Sequence, residues 1–208
     1  MDKYGYFAFN WNQNVFLAPL ASSKKDFQDV AGIASAGGNY TTLNAGLTRQ
    51  QNFGEWTATL HADGQWASAP LISNEQFGLG GTGGVRGFQE GEAYGDSGWR
   101  AMFDLRTPAI IVGNFPTEDG EVPAQLRCSV FMDYGRVYLL NRKGHDELGE
   151  WGTGFGVFLT ASEHFDARLV VAWALTDAYV GGANHQNHAA VTTQAGNAMA
   201  YFTVGFQY

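Results

Sequence analysis

Apolar and polar residues alternate along this chain with a period of two. In Glu55–Ala67 (EWTATLHADGQWA) one set of alternate positions reads Trp56, Ala58, Leu60, Ala62, Gly64 and Trp66. The other reads Thr57, Thr59, His61, Asp63 and Gln65. Successive side chains of a strand point to opposite faces, so this segment has one apolar face and one polar face. Trp99, Ala101, Phe103 and Leu105 alternate in the same way with Arg100, Met102, Asp104 and Arg106. So do Leu126, Cys128, Val130, Met132 and Tyr134 with Gln125, Arg127, Ser129, Phe131 and Asp133. Trp151, Thr153, Phe155, Val157 and Leu159 stand against Gly152, Gly154, Gly156, Phe158 and Thr160. Phe165, Ala167, Leu169, Val171, Trp173 and Leu175 make the next apolar face, and a last strand ends Phe202, Val204, Phe206, Tyr208. With earlier strands at Tyr4–Leu17 and Tyr40–Gln51, the pattern predicts about eight strands.

The spacing of the tryptophans adds a length scale. Ten residues at about 3.3 Å each, tilted by roughly 40°, separate Trp56 from Trp66 by about 25 Å along the barrel axis. That is the height of the apolar band between the two aromatic girdles of a transmembrane barrel. Connection lengths alternate too. Asn52-Phe53-Gly54 and Ser162-Glu163-His164 are tight turns, whereas Leu17–Tyr40, Pro70–Trp99 and Asp177–Met199 are long. Short turns at one end and long loops at the other belong to the same architecture. The link Pro108–Pro123 departs from this by being long on the turn side. The predicted fold is therefore all-β: a single antiparallel transmembrane barrel domain over 1–208. It is either a small eight-stranded barrel or a segment of a larger one. A soluble up-and-down calyx is the alternative that alternation alone leaves open.

Composition agrees. Glycine stands at 28 of 208 residues and aromatics at 14%, with only 15% charged residues, which suits turns and aromatic-decorated strands better than helices. The net charge of −8 opposes nucleic acid, whose phosphates need a basic surface. A lone Cys128 makes no internal disulfide, and no apolar run approaches the length of a membrane helix. No signal-peptide pattern opens the chain, which for a membrane protein reads as a mature or truncated segment.

Few residues suggest chemistry. The run LGGTGGVRGFQEGEAYGDSG (Leu79–Gly98) is rich in glycine, but a dinucleotide fingerprint needs a strand before it and a helix after, and here another strand follows. His185 and His188 are three apart in a polar loop with no fixed geometry, and read as solvated rather than as metal ligands. Ser97 lies in a GDSG context without an evident His/Asp pair. The expectation is no catalytic residues, no metal and no cofactor, so not an enzyme; an outer-membrane acyltransferase or phospholipase would need a Ser/His/Asp set at one rim. Arg86 is the exception. The inward faces of neighbouring strands offer Asp133 and Asp104, and Gly152, Gly154 and Gly156 leave a wall without side chains. A thin loop folded inward and pinned by a bidentate arginine–carboxylate pair accounts for both features.

The stretches GQWASAPLISNEQFGLGGTGGVRGF, GDSGWRAMFDLRTP and FMDYGRVY resemble the carboxy-terminal barrel of the haemolysin secretion/activation transporters. These are the outer-membrane half of two-partner secretion, in the superfamily that also holds the barrel-assembly insertases. The resemblance runs from about Tyr40 to Tyr208, and more faintly from Tyr4. It is carried by the tetrad Val85, Arg86, Gly87, Phe88 in the loop at 70–98, by Gly95, Asp96 and Gly98, and by Phe131, Asp133 and Gly135. It implies that the loop enters the pore and that Arg86 pairs with Asp133. It also implies that Phe206 and Tyr208 form the aromatic signal read by the barrel-assembly machinery. The partners it implies are the lipid bilayer of the bacterial outer membrane, that machinery and a secreted exoprotein. The implied function is translocation of an unfolded exoprotein, with a poreless structural barrel as the alternative. Gly84 stands where the family often has serine, and the family's usual 16 strands and periplasmic domains imply that the roughly eight strands read here, without such a domain, are half of a 16-strand barrel or else a small eight-stranded barrel.

Overall fold

In the computed structural model, residues 4–17, 24–31, 38–117, 120–140, 147–161, 165–179 and 191–206 are described. The long strands are β1 (Gly5–Leu17), β2 (Asn39–Phe53), β3 (Trp56–Ala67), β6 (Ser97–Arg106), β8 (Gly120–Tyr138), β9 (Glu147–Ala161), β10 (Phe165–Ala174) and β13 (Ala198–Phe206). They form one antiparallel sheet in the order β1-β2-β3-β6-β8-β9-β10-β13. Each long strand thus lies beside the next long one in the chain, a meander joined by tight turns at one end and long connections at the other. β1 and β13 are the two ends of this order, so the sheet does not close on itself among the described residues.

The period of two is what sets the two faces. Trp56, Trp66, Trp99, Phe103, Val130, Met132, Trp151, Phe155 and Leu169 are all exposed on one surface. On the other surface Thr48 meets His61 Nδ1 at 2.8 Å, and Arg100 donates to Asp63 at 2.9 Å. A soluble sheet would bury its apolar face; here the apolar face is the outer one, as lipid requires. Two aromatic belts bound it. Near the long loops, Trp99, Tyr134 and Trp151 meet edge to face at ring separations of 5.4 and 5.8 Å. Near the tight turns, Phe115, Phe165 and Phe206 are packed at 5.3 and 5.2 Å.

Two features depart from the sequence reading. The Pro108–Pro123 link is not a loop: β7 (Ile110–Thr117) pairs with the first part of β8, from Ile110 opposite Leu126 to Thr117 opposite Gly120. Pro116 and Pro123 disguise it, because proline within an apolar run argues against a strand. Among the described residues β7 pairs with β8 alone, and such an edge tolerates proline. A helix, α1 (Lys24–Ala31), lies in the first long connection. Its eight residues are too few for a 3.6-residue period to stand out. The turn at Ser162–His164, His185, His188 and Tyr208 lie outside the described residues.

The best-buried part of the molecule is not in the strands alone. Leu79, Val85, Phe88 and Ala93 from the glycine-rich segment cluster with Val137, Leu139, Leu148, Ala174 and Ala178. The segment expected to fold inward as a thin loop therefore supplies four of the nine buried residues of this core.

Candidate functional site: the arginine loop on the inner face

The connection from β3 to β6 is built as a folded hairpin. It rises through a single 3-10 turn at Ser73–Glu75 and pairs β4 (Phe77–Gly78) with β5 (Tyr94–Gly95). Beyond this ribbon, Leu79 N–H donates to Ala93 O at 3.0 Å, Gly81 N–H to Phe88 O at 3.1 Å, and Val85 N–H to Leu79 O at 2.8 Å. These bonds satisfy backbone groups that burial would otherwise leave without water. Asp96, fully buried, anchors the base. Its Oδ1 accepts from Leu71 N–H at 2.8 Å and Gln76 Nε2 at 3.0 Å, and its Oδ2 from Leu140 N–H at 2.7 Å. One carboxylate thus fastens the ascending arm to the end of β8.

The tetrad divides its work. Val85 and Phe88 are buried to 0% exposure and fix the hairpin in the core described above. Gly87 has φ +100°, and a Cβ there would stand 2.9 Å from the backbone of Trp173 and Ala174. Arg86 points to the inner wall. Its Nε donates to Asp133 Oδ2 at 2.7 Å, and its Nη2 to Asp133 Oδ1 at 2.7 Å and to Asp104 Oδ2 at 3.0 Å. Its Nη1 donates to Asp104 Oδ1 at 3.1 Å, and its own backbone N–H adds a bond to Asp133 Oδ2 at 3.0 Å. The guanidinium carbon lies 3.6 Å from the centre of the Phe131 ring. Burial alone would lower the Arg86 pKa; hydrogen bonds and charge from Asp133 and Asp104 more than reverse this and raise it.

Strand pairing explains why these groups meet. Phe131 and Asp133 are two residues apart on β8 and so share its inner face. Asp104 of β6 is the register partner of Phe131, and Gly152 of β9 is that of Asp133. The ring supplies the floor, Asp133 one fork and Asp104 the second. A Cβ at Gly152 would overlap the Arg86 carbonyl oxygen, so the loop backbone lies against the strand itself. Of the three glycines read as a bare wall, only Gly152 serves this contact. Gly154 and Gly156 face the rings of Phe131 and Phe158, whose size already fills the space. Gly95 and Gly98 lie against Val137, and Gly135 against the Leu79 side chain.

The sequence marks Asp104 as an inward carboxylate, and the structure makes it a second partner of Arg86 beside the expected Asp133. The second fork depends on the register between β6 and β8, which no local pattern prints. Two further acids that no sequence motif marks, Glu92 and Glu150, are buried at 7% and 1% exposure. Phe206 is exposed at the turn end of the outer face, against Phe165.

The sequence model of the haemolysin secretion/activation protein family ShlB/FhaC/HecB matches residues 8–159. The chain belongs to this family. Among solved structures it is similar to CdiB from Escherichia coli, with a TM-score of 0.71 at 15% identity. That match covers 99% of this chain and 34% of the CdiB chain, so this chain spans about a third of its length. At that identity the likeness speaks for the fold, a piece of barrel wall. No curated protein matches the chain in sequence. As a ShlB/FhaC/HecB family member the chain has the antiparallel, outward-apolar sheet expected of it, with its glycine-rich loop laid on the inner face.

Proposed function

We propose that this protein carries an unfolded exoprotein outward across the bacterial outer membrane, without catalysis or a cofactor, and that the Arg86 loop is the element that occupies its pore. The family assignment supports this reading, as does the outward-facing apolar band. The observation that carries it is the position of the loop: a buried hairpin held on the inner face by a doubly forked arginine. A wall that served only as a membrane anchor would have no use for a charged pin on its inner side. The poreless eight-stranded barrel would need β1 and β13 to pair, and the sheet order leaves them at opposite ends. In this reading the outer surface meets lipid, Phe206 and Tyr208 are read by the barrel-assembly machinery, and the client passes the space that the loop fills.

Planar-bilayer recording of the purified protein tests the proposal. A large, fluctuating conductance is the expected result, and its open fraction rises in Arg86→Ala. Electrical silence in both proteins would sink the translocator reading.

A further inference from the structure

Arg86 reaches from the loop to the wall; a second arginine reaches from the wall to the loop. Arg100 lies on the inner face of β6, at the parity of Asp104. It stands directly opposite Asp63 of β3, and its Nε donates to Asp63 Oδ1 at 2.9 Å and Oδ2 at 3.2 Å. Its Nη1 goes elsewhere, to the backbone carbonyl of Gly78 at 3.2 Å. Gly78 ends β4, on the ascending arm of the hairpin, and the guanidinium carbon lies 5.2 Å from the centre of the neighbouring Phe77 ring. The fit extends towards the tip. A Cβ at Gly84 would stand 2.7 Å from Arg100 Nη1, and one at Gly135 would stand 2.9 Å from the Arg100 Cβ. The arginine therefore runs between β8 and the hairpin.

These contacts do more than brace two strands. β3 and β6 are already held by an unbroken ladder from Thr57 opposite Arg106 to Gln65 opposite Gly98. The ribbon of β4 and β5 has only two residue pairs, and a short two-stranded ribbon is marginal by itself. A hydrogen bond from a charged donor, roughly twice as strong as a neutral one, ties that ribbon to the wall. Arg86 and Arg100 share no partner: Asp133 and Asp104 serve the first, Asp63 and Gly78 the second. We propose that Arg100 is a second, independent latch of the loop. Asp63 aims it, and it holds the ascending arm, residues 77–84, whether or not Arg86 is engaged at the tip. It is a positioning residue, acting on the loop rather than on a client. Its consequence for transport rests on the translocator reading: the loop leaves the wall in two steps, and each arginine restrains one.

Hydrogen–deuterium exchange of the detergent-folded protein, read on peptides covering 77–85, tests the latch without any pore. In Arg100→Gln the amides of Leu79, Gly81 and Val85, which close the hairpin above Gly78, should exchange about tenfold faster. Exchange in 57–65 of β3 and 98–106 of β6 should stay unchanged, because their ladder survives; a mere brace between strands would give the reverse pattern. Asp63→Asn keeps the arginine but loses its aim. It should loosen 77–85 less, and add nothing to Arg100→Gln in the double variant. Should Arg100→Gln fail to fold, Asp63→Asn alone decides. Bilayer recording is the second arm: Arg86→Ala and Arg100→Gln should each raise the open fraction, and together by the product of the two factors. Unchanged exchange in 77–85, or acceleration confined to β3 and β6, would overturn the proposal. So would a double arginine variant no more open than Arg86→Ala. Electrical silence in every variant would count against the translocator reading and leave the exchange result to decide the latch.

Discussion

Removing the guanidinium of Arg86 should expose how strongly the loop is tied to the wall. Arg86→Ala deletes four side-chain hydrogen bonds, two to Asp133 and two to Asp104. It leaves Asp133, with a side chain at 0% exposure, holding a charge met only by one backbone N–H. Breaking a buried pair by removing one partner costs about 3–5 kcal/mol, most of it the stranded charge. Asp133→Asn should cost a similar amount, because the guanidinium keeps only the weaker, more exposed fork. Asp104 is 17% exposed and takes no backbone bond, so Asp104→Asn should cost about 1–2 kcal/mol. The informative quantity is the double variant Arg86→Ala/Asp133→Asn. Once either member is gone the other contributes little, so the double should resemble one single change, a coupling of about 3 kcal/mol. Urea unfolding of the detergent-folded protein measures all four stabilities. Client secretion in the same variants should fall non-additively. Effects that sum to within about 0.5 kcal/mol would mean that the two side chains act independently, and the pin would be refuted.

Two other predictions follow from close approaches and staples. Gly152→Ala places a Cβ on the Arg86 carbonyl oxygen, so the loop must lift from β9; limited proteolysis within 79–95 should quicken, while Gly113→Ala, in open space, should change nothing. Asp96→Ala strands three donors, Leu71 N–H, Gln76 Nε2 and Leu140 N–H, and should destabilise by about 2–4 kcal/mol in the same urea assay. Asp96→Asn, which keeps an acceptor oxygen, should recover part of that loss.

The sheet was legible because a transmembrane wall writes both of its faces into every strand. Trp56, Leu60 and Trp66 against His61 and Asp63 leave no freedom of register, since a slip of one residue would put Asp63 into lipid. β7 was not legible for a related reason. Ile110-Ile111-Val112 is apolar without alternation, and a register shift between Ile111 and Gly113 breaks what period it has. Where the ladder slips, both sides of a strand can carry apolar residues and the face signal is lost. The helix at Lys24–Ala31 was hidden more simply, by its shortness.

The site was legible only to the extent that it follows strand parity. Phe131 and Asp133 share a face by being two apart, so the floor and the first fork can be read from one strand. Asp104 and Gly152 enter through pairing with β6 and β9, which is information between strands. Glu92 and Glu150 depend on more still: the hairpin must first fold inward before its returning arm can face β9. Each step away from a single strand costs legibility, and the order of loss follows the order of assembly. What holds the loop is likewise spread over several elements. The apolar anchors Val85 and Phe88 and the forked Arg86 bind it at the tip, and Asp96 at the base.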